Sequence, residues 1–177
     1  MQEDNGNRAF FREYNANPWK RRIQDCGVRS TSLATNIPYE EVCKMLGVPL
    51  ETGHGLISNA KIYLRKIKRI FDPYFDIVVD LKETLPKDAI PKTEYDTASL
   101  FDDVEPRDNC EISLAQWMEL YRGTGLYLVA CRQPIGPKIN HLVCVSTNTM
   151  KFFDTFDCSG FKVYAWMRVK NRRPYKK

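Results

Sequence analysis

Apolar residues recur along this chain with two different periods. In the first half, Ile57, Ala60, Leu64, Ile67 and Phe71 fall at helical spacing, with Lys61, Arg65, Lys66, Lys68 and Arg69 around them. That stripe predicts a helix over 56–70. Two shorter helices precede it. One runs from about Gly27 to Thr35, with Asp25 at the N-cap position. Asn36-Ile37-Pro38 breaks it, and Pro38 suits the first position of the next helix, YEEVCKMLG. That helix has acids early, Lys44 late and Gly47 as its stop. YFDIVVDL (74–81) reads as a strand. Ser113 can cap a further helix through SLAQWMELYRG, which Gly123 ends.

The last third switches to a shorter period. GLYLVACR, HLVCVS, KFFDTFD and FKVYAWMRV are β-rich runs separated by short turns. Thr147-Asn148 is the expected two-residue turn between the second and third. Tyr164 and Trp166, with Phe161 near them, suit a half-buried sheet face. Residues 1–24 are polar with scattered aromatics and are expected to wrap over the domain without joining the core. Residues 83–110, rich in Pro, Asp, Glu and Thr, read as a long surface loop. Helices first and an antiparallel sheet last make an α+β fold, with one domain over 1–169 and a tail over 170–177.

Composition narrows the class. The chain has 177 residues, 43% of them hydrophobic and 28% charged, enough for one domain with a real core. No apolar run approaches the ~20 residues of a membrane span. The polar start MQEDNGNRAFF does not resemble a secretory signal. The total charge is +5, yet the last ten residues, RVKNRRPYKK, carry six cations and no acid, leaving −1 on the rest. The basicity therefore belongs to the tail, either a solvated end or a contact for nucleic acid or an acidic partner. Six cysteines are scattered without a CxxC pair. They read as free thiols in a reducing, cytoplasmic setting, and a structural zinc site is not expected.

The chemistry converges on few residues. His54 lies in a glycine-flanked loop, TGHGL, and His141 opens the strand HLVCV. A histidine at a strand edge suits proton transfer. With a two-residue turn at Thr147-Asn148, Asp154 falls opposite His141, and opposed Cβ atoms are ~5 Å apart. Asp154 can then hold the imidazole in one tautomer and stabilise its charged form. Asp157 is the rival acid if the turn is longer or a bulge intervenes. Cys26 stands at a helix start, in QDCGVRSTS, where the helix dipole lowers a thiol pKa. Its amide could face a developing oxyanion, Gly27 lets a substrate come close, and Gln24 could add a side-chain donor. Cys43, Cys131 and Cys144 fall in apolar patterns. Cys110 and Cys158 are read as exposed, with nothing beside them to activate a thiol.

The order of Cys at an early helix start, His opening a strand and Asp on the next strand resembles the papain-like cysteine peptidase superfamily. DCG at 25–27 resembles the bacteriocin-leader peptidases of ABC exporters. DCGVRS followed by HLVCV and FFDTFD looks closer still to small phage and bacterial proteins of that superfamily, with their pattern DCxxRA, HxVxV and DTWD. Here Ser30 replaces the usual alanine and DTFD replaces DTWD. The resemblance spans most of 17–169. It implies a papain-like fold, with N-terminal helices carrying Cys26 packed on a C-terminal antiparallel sheet. It also implies thiolate attack on an amide carbonyl, a protein or peptide substrate, no cofactor, and a bacterial, possibly phage-encoded setting. Its arginine at position 29 would brace the nucleophile helix against an acid. In papain-like enzymes a glutamine donor precedes the nucleophile by several residues, but Lys20 stands six before Cys26. A catalytically silent scaffold that binds protein or nucleic acid, and a glutamine deamidase using the same triad, are the competing expectations.

Overall fold

A computed structural model describes residues 9–20, 24–50, 60–81, 112–135 and 139–174. His54, Cys110, the 83–110 segment and the start of the helix expected from residue 56 lie outside them. Within the described residues the chain is α+β. Four helices are α1 (Cys26–Thr35), α2 (Tyr39–Leu46), α3 (Ala60–Ile70) and α4 (Leu114–Leu120). Six strands are β1 (Phe11–Glu13), β2 (Val79–Asp80), β3 (Leu126–Arg132), β4 (Asn140–Ser146), β5 (Lys151–Asp154) and β6 (Lys162–Arg168). They form one sheet in the order β1-β5-β4-β3-β6-β2. None of these helices is long and apolar enough to cross a membrane.

The sheet is mixed, which corrects the all-antiparallel expectation. Phe11, in a stretch expected to lie outside the core, starts an edge strand parallel to β5. Its ring meets Phe152 at 5.7 Å, and that aromatic contact is why a polar segment can join the sheet. The other ladders are antiparallel. The strand expected over 74–81 is mostly not one. Pro73 sits in a 3₁₀ turn at Asp72–Tyr74, Phe75 makes an isolated bridge to Val169, and pairing resumes only at Val79–Asp80.

Strand alternation divides the core. Leu128, Ala130, Leu142, Cys144, Ala165 and Met167 pack with α1, α2 and α3. Val129, Cys131, Val143, Val145, Phe152, Val163 and Trp166 pack with Leu114, Trp117 and Met118 of α4. A bulge in β6 interrupts the alternation, because Ala130 pairs with Ala165 but Cys131 with Val163. Tyr164 is left unpaired on the α1–α3 side while Trp166 lies on the α4 side, so the two do not share a face.

Local signals explain most helix ends. Gly47 closes α2 in a left-handed conformation. Ser113 and Gln116 form a capping box on α4. Pro38 takes the N-cap position of α2 and Tyr39 begins the helix, one residue later than expected. The tail returns to the helices through residue 174. Arg172 donates to the Leu33 and Ala34 carbonyls at the end of α1, and Arg173 forks onto Glu41 with two 2.6 Å bonds. Cations at a helix C-terminus satisfy its open carbonyls, so this part of the basic tail is engaged by the domain.

Candidate active site

Cys26 begins α1, and α1 packs across β4, the strand that His141 enters at its second residue. The His141 ring and the Leu142 amide lie close enough to Cys26 to act on its thiol. The ring's Nε2 lies 2.5 Å from Asp154 Oδ2. Groups from α1, β4 and β5 thus act on one another through the imidazole. Cys26 is half-buried, whereas His141 is 3% and Asp154 2% exposed. The half-exposed Phe156 ring lies 4.8 Å from the imidazole and Phe161 6.0 Å from it.

Asp154 is the expected partner, but the register that brings it there differs. Val145 faces Phe152 and Ser146 faces Lys151, a shift of two residues from the predicted pairing. The turn is four residues, Thr147 to Met150, with Met150 at φ 52°. An even shift keeps every side chain on its face, so Asp154 remains beside His141 as a diagonal neighbour, within reach of a ring. Asp157, the rival, instead accepts the Ser159 amide at 3.0 Å in its own turn. Edge strand β1 secures the acid's backbone, since the Tyr14 amide donates to the Asp154 carbonyl at 2.8 Å.

Asp25 occupies the N-cap position of α1 but makes no side-chain cap. Its carboxylate is taken elsewhere: Arg29 Nε donates to Oδ1 at 2.6 Å, while the Tyr39 hydroxyl and Asn17 Nδ2 donate to Oδ2 at 2.9 and 3.0 Å. Arg29 Nη1 reaches on to Asp154 Oδ1 at 2.6 Å. One guanidinium therefore bridges the acid before Cys26 and the acid behind the histidine. Gln24 is exposed just before the helix. Lys20, six residues before Cys26, donates to the Asn15 carbonyl at 2.6 Å.

Charges alternate along this row: Asp25, Arg29, Asp154, His141, Cys26. Burial alone would raise Asp154, but His141 and Arg29 outweigh it and hold the carboxyl below its ordinary value. Burial would likewise lower His141, yet Asp154, with help from the two thiols near the ring, lifts it well above the usual histidine range. At Cys26 burial pushes upward and is overcome by the His141 hydrogen bond and charge, the Leu142 amide and Arg29, so the thiol falls below its ordinary value. Both directions favour an imidazolium beside a thiolate over two neutral groups.

Sequence reasoning missed several members. Cys158 is fully buried rather than exposed, sits beside His141, and has its thiol pushed well up, first by burial. Its sulfur and the ligand atoms of His141 and Asp154 lie within 4.8 Å of one another. Asn17 and Tyr39, which hold Asp25, carry no local signal at all. Tyr63 packs its ring over Gly27 so closely that a Cβ there would fall 2.2 Å from Tyr63 Cε1; this crowding, more than substrate approach, demands the glycine. Comparison with known proteins yields no match to a family model, a curated protein or a solved structure.

Proposed function

We propose that this protein is a papain-like thiol hydrolase that cleaves an amide bond, a peptidase or related amidase. Cys26 attacks, His141 carries the proton, and Asp154 orients and charges His141. The observation that supports the reading is the His141 ring itself, held at Nε2 by a buried carboxylate and close enough to Cys26 to lower its thiol. Thiolate addition forms the C–S bond and moves the carbonyl π pair to oxygen. Collapse breaks the C–N bond, and His141 gives its proton to the leaving amine. Water, deprotonated by His141, then releases the acyl group. Apart from the water, every group that acts on the substrate in this sequence is supplied by the chain. The five described cysteines are free thiols, which suits a reducing compartment and fits the cytoplasmic setting we assign.

The rate of Cys26 alkylation by iodoacetamide at neutral pH, with Cys26→Ala as control, tests the activated thiol. A rate at least tenfold above that of a free cysteine is expected. A rate no faster than free cysteine would leave only a binding scaffold. Incubation with a peptide library then asks for cleavage that Cys26→Ala abolishes.

A further inference from the structure

An oxyanion needs two donors, and among the described residues the Cys26 amide at the start of α1 is one good candidate. As a residue of the first helical turn it has no i−4 carbonyl within α1, and Asp25 does not cap that end. Two described side-chain donors near it in sequence are not aimed at it. Lys20 is held by the Asn15 carbonyl, and Gln24 is exposed.

We propose that the Tyr63 hydroxyl is the second oxyanion donor, acting with the Cys26 amide on the carbonyl oxygen that Cys26 charges. This rests on the thiol-hydrolase reading and names a further catalytic residue for it. Tyr63 reaches the site from α3, and its hydroxyl-bearing edge is what meets the helix start: a Cβ on Gly27 would lie 2.2 Å from Cε1 and 3.0 Å from Cζ. Gly27 is the residue after the nucleophile, and Tyr63 feels the Cys26 charge directly. Among the described residues no hydrogen bond occupies the hydroxyl. Burial, then the neighbouring thiols, pushes the phenol up to about 12, so it is protonated at neutral pH and available as a donor. In the addition step the C–S bond forms, the carbonyl π pair moves to oxygen, and that oxygen accepts from Tyr63 O–H and Cys26 N–H. Tyr63 keeps its proton throughout. The departing amine takes its proton from His141.

Tyr63→Phe removes the oxygen and leaves the ring over Gly27. Two readouts on this variant separate the possibilities. Alkylation of Cys26 by iodoacetamide is displacement at a saturated carbon and creates no oxyanion; its rate is expected to stay within twofold of wild type. Inhibition by a small N-acylated glycinal forms a hemithioacetal on Cys26 whose oxygen needs the donors. Its inhibition constant, read as protection from iodoacetamide, is expected to rise at least tenfold, in line with the roughly 10²–10³-fold cost in turnover of deleting one such donor. Fast alkylation with an unchanged inhibition constant overturns the Tyr63 assignment and leaves the thiolate reading standing. A wild-type protein whose Cys26 reacts no faster than free cysteine overturns the thiolate reading, and the assignment falls with it. An unchanged melting temperature for Tyr63→Phe shows that the ring alone keeps the fold.

Discussion

Two thiols meet one imidazole in this protein, and their acidities move in opposite directions. Cys26 and Cys158 both lie close enough to His141 to be shifted by it. Burial raises both. At Cys26 the histidine, the Leu142 amide and Arg29 outweigh burial. At Cys158 burial prevails, and the neighbouring Cys131 adds to it. The histidine acts on both, but at Cys26 it heads the lowering causes and is joined by the Leu142 amide and Arg29, while at Cys158 burial and Cys131 prevail. The separation lies in the opposite surroundings, a half-buried helix start near a guanidinium against a closed apolar pocket. A neighbouring histidine alone does not make a nucleophile; positive surroundings and access do.

The comparison is broken most directly by removing each thiol in turn. Cys26→Ala is expected to abolish alkylation at that site and to lower amide turnover by at least about 10³-fold, as loss of a nucleophile does. Cys158→Ala is expected to cost less than about tenfold in turnover, since its thiol takes no part in the proposed chemistry and its loss mainly opens a small cavity. Peptide mapping of the native protein after brief iodoacetamide treatment checks the same point. Label on Cys158 equal to that on Cys26 would sink the distinction.

The site and the fold are legible in the sequence to different depths. Cys26 at a helix start, His141 opening a strand and Asp154 on the next one can all be read from local patterns, because each depends on its own element. Asp154 even survives a wrong turn length, since a shift of two residues preserves the face. A shift of one would lose it. The groups that tune the site are hidden. Asn17, Tyr39 and Tyr63 act through contacts 8, 14 and 36 residues away in the chain, toward Asp25 and Gly27, and no local period announces them. Cys158 misleads because a turn sequence that looks exposed folds under the sheet. Asp25 misleads in the other direction: its position says cap, but Arg29, one turn along, holds a stronger claim on the carboxylate. Edge strand β1 escapes because its three residues carry no alternation worth reading.

Arg29 is the next handle, because it supports the Cys26 side of the comparison and does not figure at Cys158. Arg29→Met leaves Asp25 and Asp154, both 2% exposed, without their shared cation. Breaking buried pairs in this way typically costs about 3–5 kcal/mol, which urea unfolding would measure. Arg29→Lys keeps the charge but cannot bridge two carboxylates in a fork, so a smaller loss is expected. In a variant that stays folded, the pH at which Cys26 alkylation becomes fast moves up toward the ordinary thiol value of 9.0, because Arg29 is one of the groups depressing it.

Stability should follow pH with a sign set by the same groups. His141 is raised in the folded chain, so its contribution is complete below an ordinary histidine pKa of about 6.5 and disappears as pH rises through the folded value. Asp154 is lowered; its contribution is present above the ordinary carboxyl value of 3.8 and is lost as pH falls through the folded one. Melting temperature against pH is therefore expected to fall on both limbs, with Asp154→Asn flattening the acid limb. An acid limb as steep as wild type in that variant would mean that Asp154 is not the group being titrated.

The smallest expected effect concerns crowding at the Cys26 end alone. Gly27→Ala would place a Cβ 2.2 Å from Tyr63 Cε1, closer than real side chains approach, and an aromatic ring wedged on α3 cannot move aside without shifting the helix. Overpacking of this kind costs about 1–3 kcal/mol. Gly160, in the loop that carries Cys158, has open space where a Cβ would stand, with nothing within 4 Å, and no left-handed backbone to protect. Gly160→Ala is therefore expected to be neutral, or slightly stabilising through the unfolded chain. Paired urea titrations of the two variants give the test its sharpness. Equal stabilities would mean that α3 yields freely at Gly27, and a Tyr63 that yields freely could not hold its hydroxyl where an oxyanion needs it.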